Sequence, residues 1–515
     1  MKRALAIAGL SFVMPLVVAP GDAPAADRPG YRIAVTGLPV HLDPLNLPRN
    51  VNTRFNENVF ETLIAQDPAD GSLHPGLAVS WRAISPTVLE LKLREGVVCH
   101  NGEPFTADDV EAMFGPSRLL DPKSATYKNG KEQFFPTLQA VRVVDATTVH
   151  METSAPDPLL PLRLAVDSSG VPCADALRAA RNWEQWGLAP VGTGPYKVGE
   201  VRPGNYHRFD AFDRYWGKKA PLSSFTFKVV PEVGARISGL LAGEFDIVTE
   251  ISPDQFKTIS TSGRARVSGG PIDTIRILFF DTKNPALADP RVRRALSLAI
   301  DRQLIVDTLF GGMTEVPKGM QMKTFGPMYV DDHQPTGYDP ARARALLKEA
   351  GYDGRVIEYR YMQDYYGAEV ATAQVLQQMW KQVGLNVRLE LKENWSQITV
   401  PEAAAGRGIN NYSSTASFGD PAVQVWRTFG PGGPYQKNGF GILERFNDVG
   451  APLMGTDRTQ RRDAFVKLLQ VFEQDPPGTY LHRLPAFYGV ANAVAWKAGE
   501  TIFMDFRAGS IGPRE

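Results

Sequence analysis

Seven histidines, at positions 41, 74, 100, 150, 207, 333 and 482, are the side chains best suited to proton transfer or metal binding near neutral pH. They are scattered, with no HExxH and no pair at helical spacing, so no metal site is expected. The chain has no GxSxG elbow, and no GxxxxGK[ST] loop to cradle nucleotide phosphates. Gly192-Thr193-Gly194 begins like a dinucleotide fingerprint, but Lys197 stands where the third glycine is required. No catalytic residue is therefore assigned and no cofactor is expected. Acidic residues number 56, and any two could meet as an acid–base pair. A secreted hydrolase of peptides or glycosides thus stands as the alternative function. Cys99 and Cys173, the only cysteines, fit either one disulfide or two separately buried thiols.

The elements that would carry such groups read as an α/β chain. Tyr31–Val35 is strand-like, and Phe55, Val59, Phe60 and Leu63 repeat at the spacing of a helix over 53–64. In Val88–Arg94 the leucines alternate with charged residues, as in a half-buried strand. Thr106-Ala107-Asp108-Asp109 is a helix start, its hydroxyl capping free N–H groups and its acids suiting the dipole. Residues 141–151 read as a hairpin turning near Asp145-Ala146, and 225–230, 233–241 and 243–248 as strand, helix, strand. Such alternation implies a parallel or mixed sheet covered by helices. Asp289-Pro290 and Asp339-Pro340 each supply a cap and an N1 proline before an apolar helical stripe. A helix over 368–383 leads through Gly384 into the alternating strand Val387-Leu389-Leu391. No internal repeat or low-complexity segment interrupts the pattern.

Length and charge set the outer limits. At 515 residues, with 43% hydrophobic residues, the chain can build two to four domains with substantial cores. Lys+Arg and Asp+Glu balance at 56 each, which disfavours a nucleic-acid partner. Lys2 and Arg3 precede an apolar run from Ala4 to Ala19, and small residues follow at Ala23-Pro24-Ala25-Ala26. This is the layout of a cleavable signal peptide over residues 1–26. No cysteine follows the apolar run to carry a lipid, so a free periplasmic protein is expected.

Several segments resemble one family over nearly the whole remaining chain, the large solute-binding proteins of peptide, nickel and related ABC importers (family 5). Leu73–Trp81 is similar to its L-x-P-x-L-A-x-S-W signature. Leu91–Val97 with His100–Val110 is similar to its most recognisable block. Gly192–Tyr196, Tyr215-Trp216-Gly217, Gly243–Asp246 and Pro290–Leu296 match further stations in the same order. The resemblance implies a large, class II-like, two-lobed periplasmic binding protein with an additional inserted domain. Lobe I would comprise 27–70, 191–280 and 496–515, the inserted domain 71–190, and lobe II 281–495. A small molecule or peptide would be trapped between lobes that bend shut. A monomer would then dock on an inner-membrane permease driven by its ATPase.

Site residues also follow from the resemblance. Dipeptide-binding members hold the ligand's ammonium with an acid three residues before an Asp-Pro pair. Here that pair is Asp420-Pro421, Ser417 occupies the acid's place, and Ser414 that of the usual tryptophan. The arginine gripping a dipeptide's carboxylate in those members aligns with Gln363. Both charged partners of a free dipeptide are thus replaced by neutral groups. Ser417, Phe418, Gln363, Tyr365, Tyr366 and Tyr412 are the ligand-binding candidates, and they suit a larger or less charged solute. A metal chelate is the main variant within the family.

Overall fold

The computed structural model describes residues 28–46, 54–67, 70–132, 134–363, 365–400, 407–415 and 419–511. The expected signal segment, Ser417 and Phe418 lie outside them.

Ten strands form one mixed sheet in the order 387–392, 357–362, 409–415, 265–280, 478–491, 247–248, 30–35, 224–229, 206–211, 196–202. Two long strands, Ala265–Phe280 and Gly478–Ala491, run antiparallel through its middle. Ile409–Thr415 pairs only with the 274–280 half of the first, and Ile247–Val248 only with the 489–490 part of the second. The two halves of the sheet therefore belong to different lobes, joined by this two-stranded ribbon. Its register shifts between Pro271 and Ile275, just where Pro271 faces Pro485. Around the shift Arg483 pairs with Asp273 (3.2 Å), Glu315 (2.9 Å) and Glu500 (2.9 Å), and its Nε donates to the Ile272 carbonyl (3.1 Å).

An inserted four-stranded antiparallel sheet, ordered 78–85, 88–93, 148–153, 138–145, carries its own core of Leu89, Leu91, Val110, Phe114 and Met151. The alternation of Val88–Leu93 is realised, with Leu91 buried and Lys92 exposed. Thr106 caps its helix in a full capping box with Asp109. Burial raises Asp109 to about 6, and its second oxygen accepts the Ala174 N–H (2.6 Å). The same loop is tied covalently by a Cys99–Cys173 disulfide. Asp289 and Asp339 cap the helices 290–298 and 340–349 as expected.

Two expectations are corrected. The helix over 53–64 is limited to Asn56–Val59, and a short strand begins at Ile64. Phe55, Val59, Phe60 and Leu63 are buried as expected, but the chain opens after Val59 because Asn58 and Glu61 have distant partners. Asn58 donates to Met504 O (2.8 Å) and accepts from Phe506 N–H (2.8 Å). Glu61 accepts from Thr193 (2.8 Å), Tyr215 (2.9 Å) and Trp216 (2.7 Å). The Gly-Thr-Gly-Pro-Tyr and Tyr-Trp-Gly segments thus meet at one buried carboxylate, and their role is structural. The strand expected over 243–248 is reduced to Ile247–Val248, since Gly243 (φ +80°) closes the preceding helix.

Candidate functional site: an aromatic wall beside the crossing strands

In the second lobe the strands 357–362, 387–392 and 409–415 are mutually parallel where they pair. Open sheets with parallel strands place ligands beyond the strands' carboxyl ends, because loops diverge there and leave a crevice. Gln363, Tyr365 and Tyr366 follow the first strand and Trp395 the second, and Tyr412 is the middle residue of the third.

Four of these aromatics meet. Tyr365 stands edge-on to Tyr366 (4.7 Å between ring centres) and to Trp395 (4.8 Å), and Trp395 faces Tyr412 at 6.1 Å. Tyr412 stacks on Phe279 of the crossing strand at 4.4 Å. Tyr365 is exposed, while Tyr366, Trp395 and Tyr412 are half-buried, so the group forms a wall with an accessible surface. Gln363 is exposed on the same loop.

Buried charge holds the wall from behind. The Arg276 guanidinium lies 3.9 Å over the Tyr366 ring, donates to Tyr412 O (2.6 Å) and bridges both Glu369 oxygens (3.0 and 3.1 Å). Glu369 also accepts from the Asn411 amide, whose own oxygen accepts from Tyr359 Oη (3.0 Å). Tyr366 donates to Ser413 Oγ (3.0 Å), and burial lifts its hydroxyl well above the ordinary tyrosine range. Every group of this buried set is satisfied, which keeps the two tyrosines in fixed positions. Ala368 ends the tyrosine loop at φ +54°, a conformation that costs a non-glycine residue about 1 kcal/mol or more. The loop is held in place against its own preference.

The structure brings Tyr365, Tyr366 and Tyr412 together and leaves Gln363 at the edge. Sequence reasoning missed Trp395, whose only signal was its place just after a strand. It also missed the Arg276–Glu369 pair, whose members are 93 residues apart. Asp420 accepts at both oxygens from Arg461 Nη2 (2.8 Å each) and so stabilises a turn of the second lobe. Among the described residues the one cluster of metal-type donors is Cys99, Glu103 and Cys173. Its two sulfurs are bonded to each other, which leaves no thiolate for a metal.

Two lobes on a shared two-stranded ribbon, a separate inserted domain and a side-chain wall at the strand ends define a large bilobal binding protein. The chain belongs to the bacterial extracellular solute-binding proteins, family 5, whose model matches residues 72–436. It is 25% identical over 423 residues to the dipeptide-binding protein of Escherichia coli K12, covering 78% of this chain and 79% of that one. Its fold is similar to the substrate-binding protein CtaP of Listeria monocytogenes, with TM-score 0.82, 21% identity, and 95% and 100% of the two chains covered. The periplasmic binding protein DppA of Helicobacter pylori, solved with the peptide STSA, has TM-score 0.77 and 19% identity over 95% and 99%. Family 5 proteins are periplasmic solute-binding components of ABC importers, not enzymes, and the hydrolase alternative finds no support among these relatives. No helix among the described residues is long and apolar enough to cross a membrane.

Proposed function

We propose that this chain captures a peptide-like or other medium-sized polar solute against the wall of Tyr365, Tyr366, Trp395 and Tyr412, with Gln363, Ser417 and Phe418 as further candidate contacts. Bending of the two crossing strands brings the lobes together, and the closed form delivers the solute to an inner-membrane permease powered by its ATPase. The observation that carries this reading is an accessible aromatic wall on a rigid buried scaffold, set against the ribbon that joins the lobes. Relatives named for dipeptide binding, or solved with the peptide STSA, support a peptide-like solute. Export through residues 1–26 as a cleaved signal, without a lipid anchor, fits the disulfide, since such bonds persist in oxidising compartments. We assign 27–70, 191–280 and 496–515 to the first lobe, 71–190 to the inserted domain and 281–495 to the second. The packing of Trp496, Met504 and Phe506 against Tyr31 and Phe225 supports the C-terminal assignment.

Calorimetric titration of the purified protein with a peptide library, paired with small-angle scattering, tests the proposal. Micromolar or tighter binding together with a smaller radius of gyration is expected. Binding without compaction, or no binding across peptides of two to ten residues, would overturn it.

A further inference from the structure

Pro271 and Pro485 face each other across the ribbon that joins the lobes, and charged residues from both sides gather beside that line. Asp273 and Arg483 lie just beyond it toward the second lobe, where the ribbon takes up its pairing with Ile409–Thr415. Glu315 follows the helix 302–310 of the second lobe. Glu500 belongs to the C-terminal segment that packs on the first lobe through Trp496, Met504 and Phe506. One guanidinium holds all three acids. Arg483 Nη1 donates to Glu315 (2.9 Å), and Nη2 is shared by Asp273 (3.2 Å) and Glu500 (2.9 Å). Backbone bonds pin the two outer acids as well, since Arg483 N–H donates to Glu315 O (2.9 Å) and Asp273 N–H to Glu500 O (2.8 Å). Of these links, those of Glu500 cross the proline line, whereas those of Glu315 stay on the second-lobe side.

The lobes touch at the angle at which these links are made. A β-carbon on Gly71, between the strands 64–66 and 73–75, would run into the Thr324 carbonyl oxygen of the second lobe, and one on Gly326 into Asp70 O. Val423 of the second lobe packs in the core of the inserted domain, and Leu159 of the inserted domain in the core of the second lobe. Next to the charged cluster a cavity of about 140 Å³ is bordered by Pro271, Met322, Lys323 and Thr324. The Thr324 hydroxyl is buried there without a hydrogen-bond partner among the described residues. The junction is thus incompletely filled, and rotation at the ribbon is opposed by its ion pairs more than by close packing.

We propose that Glu500 and Arg483 form an ionic clamp that holds the lobes at this closed angle, and that both are positioning residues for solute capture although neither belongs to the aromatic wall. The clamp rests on the lobe-bending reading above and adds the residues that set its equilibrium. A solute that binds the closed form alone binds more tightly in proportion to the fraction of molecules already closed. The clamp therefore tunes affinity from the hinge, without touching the solute. The Glu500 side chain is 59% exposed, so solvent screens the pair and its effect on the closed-to-open ratio is about two- to fivefold.

Spin labels on K228C in the first lobe and K348C in the second, both exposed positions on regular elements, report the interlobe distance by pulsed electron resonance. The Cys99–Cys173 bond leaves no other thiol to label. Without added solute, E500Q is expected to lower the closed-to-open ratio two- to fivefold against the labelled parent. E315Q, which breaks a pair confined to the second lobe, is expected to leave the distribution unchanged. Salt at about 1 M should move the parent toward E500Q and leave E500Q where it is. An unchanged distribution in E500Q overturns the clamp. So does an equal shift in E315Q, which marks the cluster as a support of the ribbon alone, or an equal response of E500Q to salt. If the parent shows two distances whose ratio E500Q does not alter, the clamp fails and lobe bending stands. If every form shows one and the same distance, with a library of peptides of two to ten residues as without it, lobe bending fails together with the clamp.

Discussion

Replacing Cys99 and Cys173 together by serine should lower the melting temperature by on the order of 10 °C while leaving the folded structure in place. The disulfide closes a loop spanning 74 residues. For that span the chain-entropy relation gives about 4 kcal/mol of stabilisation, acting mainly by restricting the unfolded chain. A domain of 150–250 residues loses roughly 2–4 °C per kcal/mol, which sets the expected shift. The native geometry should survive because parallel contacts hold the same two segments. Cys173 N–H donates to Val191 O (3.0 Å), Ala174 N–H to Asp109 (2.6 Å), and His100 N–H to Gly192 O (2.9 Å). Scanning calorimetry of the double variant, with near-ultraviolet circular dichroism to verify packing, measures the effect. Wild-type protein unfolded and cooled in a phosphine reductant should match the variant. A shift below about 2 °C would refute the entropic account. So would two titratable thiols in denatured protein taken from the periplasm.

The ribbon and the buried charges give further expectations. Gly269 adopts φ +111°, and a β-carbon there would run into the Ala486 carbonyl oxygen. Gly269→Ala should therefore cost about 2 kcal/mol or more and reduce the compaction seen by scattering on ligand addition. Asp420→Asn leaves the buried Arg461 without its countercharge and should destabilise by about 3–5 kcal/mol in urea unfolding. The double variant Asp420→Leu/Arg461→Met should recover most of that loss. Burial raises Asp273 to about 7 even though Arg483 attracts it, because Glu500 opposes and Arg483 is shared among three carboxylates. An acid whose folded pKa exceeds its unfolded value of about 3.9 holds its proton longer when folded, so stability falls as pH rises through that interval. Asp273→Asn should thus gain in melting temperature relative to the wild type between pH 4 and 7, and the gap should be constant above that range.

How far the fold could be read depended on how local its causes were. The leucines of Val88–Leu93 and the Asp-Pro starts at 289 and 339 act within a few residues, so their elements stand where expected. Asn58 and Glu61 act over more than a hundred residues, and the helix that apolar spacing suggested gives way to them. The 16-residue strand 265–280 was not anticipated, because its Gly-Gly-Pro segment locally resembles a break. In the wall, tyrosines clustered in the chain were legible as candidates. The pairing of Arg276 with Glu369 arises only in three dimensions, and nothing in local spacing marks it.

Because Pro271 faces Pro485, neither residue has an amide proton to give across the ribbon. The midpoint of the connection between the lobes thus lacks a ladder bond that rotation would have to break, while paired backbone on either side resists twisting. Bending along this line would leave the backbone bonds on either side of it intact.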